Sequence, residues 1–164
     1  MKAILHRYAA YNIWAHKKIF ESLHQFKEED IQQAMVSSFE GIVPTLLHLL
    51  DAENIWWQRM KLNEYVIVPS SHFEGSLADL EKLILQQAQA WEQWVAEAQE
   101  IQFEHEFRYY GLERQQLKIS IADMLLHVFN HTSYHRGQII TMMRQLGLSK
   151  IPQTDYAFYL RNKK

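Results

Sequence analysis

The sequence predicts an all-α chain: a four-helix bundle with a short β-hairpin between helices 3 and 4 and a short C-terminal helix. Three observations lead there. Punctuation is sparse, with 5 glycines and 3 prolines in 164 residues, which suits long helices better than many short strands. Apolar residues recur at helical spacing over four long stretches. Two Ser-x-x-Asp patterns stand where helices would begin.

The first helix is expected over Lys2 to Phe26, on the stripe Leu5, Tyr8, Ala15, Ile19, Leu23 and Phe26. Asn12 falls within that stripe and brings a polar side chain to the core. The second is expected from Ser38 to Met60, with Ile42, Leu46, Leu49, Trp56 and Met60 facing inward and Pro44 near the first turn. Ser76-Leu77-Ala78-Asp79 reads as a capping box that opens a third helix carrying Leu77, Leu80, Ile84, Ala88, Trp91, Val95 and Ala98. Between Ile101 and Ile119 the period changes to two: Phe103, His105, Phe107 and Tyr109 alternate with charged residues, and Gly111 precedes a second extended run, Gln115 to Ile119. Ser120-Ile121-Ala122-Asp123 opens the fourth helix, which Gly147 is placed to end. Thr154 is read as the cap of a last helix over Asp155 to Arg161, with Asp155 at its positive end. No repeat or linker divides the chain, so residues 1–164 are expected to form one domain.

Composition narrows the function classes. With 17 Lys+Arg against 19 Asp+Glu, and no basic run beyond Lys163-Lys164, no nucleic-acid footprint is expected. The absence of cysteine removes disulfides, thiolate metal sites and Cys nucleophiles together. No apolar run approaches the roughly 20 residues of a membrane span. The N-terminus meets charge too soon for a signal peptide. A cytoplasmic protein without membrane or nucleic-acid partners is the expectation.

The 9 histidines are the feature that remains. His127, His131 and His135 lie four apart on the fourth helix. The rise from His127 to His135 is about 12 Å, too far for one ion to reach both. With Val128 at zero on a helical wheel, the apolar residues fall between about −40° and +60°. His135 then lies near about −20°, His131 near about −60° and His127 near about −100°. The pair His131 and His135 therefore points most nearly inward, with His127 on the shoulder. Two imidazoles at i and i+4 can chelate one ion. His48, among Leu46, Leu47 and Leu49, is the best third ligand. Three protein ligands with open positions are the pattern of a catalytic metal rather than a structural one. Imidazole ligation suits Zn, Ni, Fe, Co or Mn alike. His6, His16, His24, His72 and His105 are read as surface or loop residues.

Several neighbours could support such a site. His127 could act as a proton carrier beside His131. Asp51, one turn after His48, could orient that ring. Asn12 could hold the first helix near the site, and Glu53, on an apolar stripe, needs a partner. Arg136 is read as a salt-bridge partner on the bundle surface, with an anionic substrate as its functional alternative. Gly137 is read as allowing close helix approach, and Gln138 either as a hydrogen-bond partner for a neighbouring helix or as a surface residue. Trp14, Trp56 and Trp57 are read as core or interface residues.

The run His131-Thr132-Ser133-Tyr134-His135-Arg136-Gly137-Gln138 resembles the HxxxHRGQ signature of the DinB-like metal-binding bundles, within the DinB and YfiT-like superfamily. Tyr11-Asn12-Ile13-Trp14 is similar to the family's first-helix YNxW, Thr45-Leu46-Leu47-His48 to its second-helix ligand segment, and Pro152-Gln153-Thr154-Asp155-Tyr156 with Tyr159-Leu160-Arg161 to its C-terminal pattern. The resemblance implies a divalent metal on His48, His131 and His135, and a homodimer. It also implies a small-molecule substrate and chemistry such as transfer of a low-molecular-weight thiol. A metal-dependent hydrolase, or a non-catalytic metal-binding stress-response protein, is the alternative.

Overall fold

The computed structural model describes residues 1–111 and 113–162. Position 112, in the expected hairpin, and the Lys163-Lys164 pair lie outside the described residues. In chain order the elements are α1 (Lys2–Leu23), α2 (Glu28–Gln32), α3 (Ile42–Met60), α4 (Leu77–Glu97), β1 (Glu106–Tyr110), β2 (Gln116–Ser120), α5 (Ile121–Gln145) and α6 (Tyr156–Asn162). Two single 3₁₀ turns, Pro69–His72 and Glu100–Phe103, join them. No helix among the described residues is long and apolar enough to cross a membrane.

The four long helices form the bundle. α1 and α3 each pack against α4 and α5, so the first two long helices of the chain stand at opposite corners. Ser76 caps α4 with both halves of the expected box. Ser120 caps α5 through the Asp123 N–H, while the Asp123 carboxylate bonds the Ser120 hydroxyl rather than its backbone. α5 ends at Gly147, whose φ of +96° a side chain would strain. The antiparallel hairpin sets Phe107 opposite Ile119 and Tyr109 opposite Leu117.

Three boundaries differ from expectation. α1 stops at Leu23, and the separate α2 buries Ile31 alone, too little apolar surface to announce itself by periodicity. α3 begins at Ile42 rather than Ser38, because Glu40 (φ +58°) and Gly41 (φ +151°) turn the chain first. α6 starts at Tyr156, directly after Asp155, whose carbonyl accepts the Tyr159 N–H. Thr154 is therefore not its cap; the Thr154 carbonyl instead accepts the Tyr11 hydroxyl at 2.6 Å.

The two larger core clusters have a polar layer between them, and a smaller third one joins Tyr11 and Ala15 to Tyr159. One of the larger two joins Ile19 and Leu23 of α1 to Leu46 of α3, Ile84 of α4 and Ile139 of α5. The other joins Leu5, Trp91, Leu125 and Phe129, with Trp56 and Trp57 packed against it. Between them lie buried Asn12, His16, Glu53, Thr132 and Arg136, drawn from α1, α3 and α5. A layer of polar groups is stable in a core only if its members satisfy one another. Here Glu53 Oε1 accepts hydrogen bonds from Asn12 Nδ2 (3.1 Å), Thr132 Oγ1 (2.9 Å) and His16 Nε2 (3.3 Å). Asn12 in turn accepts from Arg136 Nη1 through its Oδ1, so one amide bridges a buried cation to a buried anion.

This layer corrects three expectations. His16 is 1% exposed rather than a surface residue. Arg136 is 2% exposed and makes no surface salt bridge; it donates to Asn12, Ser133 and Tyr11. Gly137 faces outward, and a Cβ there would meet nothing within 4 Å, so close helix approach does not explain it.

Candidate metal centre

The polar layer fixes α3 against α5 at the level of three imidazoles. His48 lies on α3, upstream of Glu53, and His131 immediately precedes Thr132 on α5. Because Thr132 and Asn12 share one Glu53 oxygen, α3 cannot slide along α5 without breaking buried hydrogen bonds. Within that register His131 Nε2 lies 3.2 Å from both His48 Nε2 and His135 Nε2. The donor atoms of all three rings fall within 4.8 Å of one another.

The two pairs that share His131 have a spacing that suits a single metal ion. Nitrogens about 2.0–2.1 Å from one zinc ion and 3.2 Å apart subtend about 100° at it, between octahedral and tetrahedral values. Ligation requires neutral rings, and the surroundings of His131 and His48 favour that form. Burial, then the nearby His135, His48 and His127, push the His131 pKa down to about 4 against a weaker pull from Glu53. Burial and His135 likewise lower that of His48, with Asp51 opposing. With Nε2 unprotonated on each ring, as ligation requires, three lone pairs would converge, and a cation among them would remove their repulsion.

Two residues that orient the rings had not been assigned that role. Gln138 Oε1 accepts the His135 Nδ1–H at 2.8 Å, while Gln138 Nε2 donates to Ser38 Oγ at 3.0 Å. This arrangement puts the His135 proton on Nδ1 and leaves its Nε2 lone pair facing the other rings. Phe39 stacks on His48 with centroids 4.0 Å apart and meets the edge of His135 at 5.5 Å. The i, i+3 spacing of His135 and Gln138 was the available signal for the first; a lone aromatic in the polar run Ser37 to Gly41 was the signal for the second.

The other candidates stand apart from the three rings. Asp51 does not orient His48: its carboxylate accepts the Ser70 N–H (2.8 Å) and hydroxyl (2.5 Å), pinning the Pro69–His72 turn. Asn12 and Arg136 reach the polar layer rather than the imidazoles. His127 sits at the surface beside His131 (centroids 5.8 Å apart) and edge-on to Trp56 (5.2 Å). Partial burial lowers its pKa.

The profile of the DinB family matches residues 1–164. The chain belongs to the DinB family. Protein DinB of Bacillus subtilis (strain 168) is 27% identical over 157 residues, spanning 92% of this chain and 90% of that protein. The fold is shared with YfiT of Bacillus subtilis, at a TM-score of 0.67 and 15% identity over 91% of each chain. YfiT is described as a probable metal-dependent hydrolase with an unusual four-helix bundle topology. The diagonal placement of α1 and α3 gives this DinB-family chain its own departure from a simple up-and-down order.

The depressed His131 pKa makes stability pH-dependent in the metal-free protein. The unfolded imidazole takes up a proton below about 6.5, the folded one only near 4. The unfolded state therefore binds more protons in that window, and stability falls as pH drops through it. Denaturant midpoints measured from pH 7.5 to 4 should decline over this range, and less steeply in His131→Ala. Equal slopes in the two proteins would show that His131 is not held neutral by the fold.

Proposed function

We propose that the chain is a metal-dependent transferase that uses a low-molecular-weight thiol as cosubstrate, with His48, His131 and His135 holding one divalent ion. A divalent ion in such a site lowers the pKa of a thiol that reaches it and so supplies a nucleophile near neutral pH. The observation that carries this reading is the fate of the nearby carboxylates. Asp51 is spent on Ser70 and Glu53 is sealed in the core, and no carboxylate among the described residues hydrogen-bonds a triad ring. A site without a base favours a nucleophile that ionises readily. A thiol, with an unperturbed pKa of about 8.5, meets that requirement once a cation lowers its pKa further. The thiol must come from outside, because the chain has no cysteine.

His48, His131 and His135 bind through neutral rings, Gln138 fixes the His135 tautomer, and Phe39 walls one side. A hydrolase is the second reading, favoured by the description of YfiT and by exposed His127, which is placed beside His131 to carry a proton to solvent.

Cobalt substitution tests the choice. Addition of a physiological thiol to the cobalt-loaded protein should produce a new near-ultraviolet charge-transfer band, and the same thiol should be required for turnover of electrophiles. An unchanged spectrum, together with thiol-independent hydrolysis of esters or amides, would overturn the transferase reading.

Gln138→Ala should weaken metal binding by about 10–100-fold, the usual cost of freeing a ligand imidazole from its orienting partner. Competition with a chromogenic chelator measures this. Wild-type affinity in the variant would remove Gln138 from the site.

A further inference from the structure

A cavity of about 320 Å³ lies between the end of α3 and the hairpin, lined by Arg59, Asn63, Arg108 and Tyr109 among others. Arg59 is half-buried there. Its guanidinium lies 4.9 Å from the Trp56 ring centroid and 5.2 Å from that of Tyr109, and donates one hydrogen bond, 3.3 Å long, to the Tyr110 carbonyl. A guanidinium has five N–H donors. Among the described residues Arg108 bonds only the neutral Gln116 amide, at 3.3 Å, and it faces Lys118 across the strand pair. Neither arginine has a carboxylate within ion-pair distance among the described residues. Lys118 itself is paired with Glu106. Two unpaired cations, one of them partly desolvated between aromatic rings, form a site that an oxyanion would complete.

The cavity is aligned with the triad. His48 and Arg59 are eleven residues apart on α3, which returns to within about 20° of the same face after a rise of about 16 Å. The surface between them is paved by His127 and Trp56, whose rings meet at 5.2 Å. A molecule as long as about five extended residues, at about 3.3–3.6 Å each, spans that distance.

We propose that the Arg59–Arg108 cavity binds the carboxylate or phosphate tail of an elongated substrate or cosubstrate whose reactive end reaches the histidine triad. Arg59 grips the oxyanion, and the Trp56 and Tyr109 rings hold its guanidinium in place. Trp56 and His127 carry the intervening chain. The proposal rests on the triad being the reaction centre, but the cavity can be tested without any reaction.

The test follows the indole N–H resonance of Trp56 in the full-length, ¹⁵N-labelled protein, assigned through Trp56→Phe. Succinate and inorganic phosphate are titrated separately, with and without zinc. The expected result is a saturable shift of the Trp56 signal with at least one anion, the tighter one identifying the tail. Arg59→Gln should weaken that binding at least about tenfold, and Arg108→Gln should weaken it less. An amide spectrum that otherwise matches wild type shows that each variant is folded. No shift with either anion, or the same affinity in both arginine variants, overturns the proposal. A saturable, Arg59-dependent shift in a protein whose cobalt spectrum ignores every thiol would retain the cavity and discard the transferase reading.

Discussion

His131→Ala should lose metal binding by far more than the about 10–100-fold expected for an orienting residue, and His48→Ala and His135→Ala should behave alike. His131 is the sharpest test because its Nε2 is 3.2 Å from both partners, so its removal takes away both of these close donor pairs. His127→Ala should keep its metal. It lies one turn earlier on α5, with its ring centroid 5.8 Å from that of His131 and outside the converging group. Metal content after dialysis against a weak chelator distinguishes the four variants. Loss in His127→Ala equal to that in His131→Ala would move the site one turn toward the hairpin.

The second large effect concerns stability. Glu53→Ala should cost about 3–5 kcal/mol, because it strands a buried cation and removes the shared acceptor of Asn12, His16 and Thr132. For a chain of 164 residues that corresponds to a fall in Tm of roughly 6–20 °C. Burial alone would raise the Glu53 pKa, but the bonds from His16, Asn12 and Thr132 outweigh it, so the carboxyl titrates below its usual range. Burial holds His16 neutral, and it acts as a donor rather than a counter-charge. The counter-charge is Arg136, reached through Asn12. Glu53→Ala combined with Arg136→Ala should therefore lose less than the two single losses added together. Thermal melts of the three variants decide the point. Additive losses would mean that the two charges do not sense each other.

Much of this architecture was legible because long helices repeat their apolar faces many times. The four stripes, both serine caps and Gly147 marked the bundle, and the change to period two marked the hairpin. Inward-facing polar residues were harder to read. Asn12 was recognised as core-facing, and His16 follows it by four residues on the same face, yet a lone histidine carries no sign of its partner in sequence. Arg136 lies at about 80° on the α5 wheel, beside Thr132 at about 40°, so its inward position was available from periodicity. Its charge argued for the surface, and only the carboxylate of Glu53 from another helix reverses that argument. Gly137, at about 180° on the wheel, could not have faced a neighbouring helix. The start of α3 was illegible for a different reason. Two left-handed residues, Glu40 and Gly41, turn the chain so that Phe39 folds over His48, and that long-range contact has no local pattern.

The convergence of three helix-borne imidazoles on one ion can be measured directly by X-ray absorption at the metal edge of the zinc-loaded chain. The account predicts a first shell with three imidazole nitrogens at about 2.0–2.1 Å, completed by solvent or thiol, and loss of one imidazole or of the metal in His131→Ala. A shell with two or fewer imidazoles, or one unchanged by His131→Ala, would contradict it.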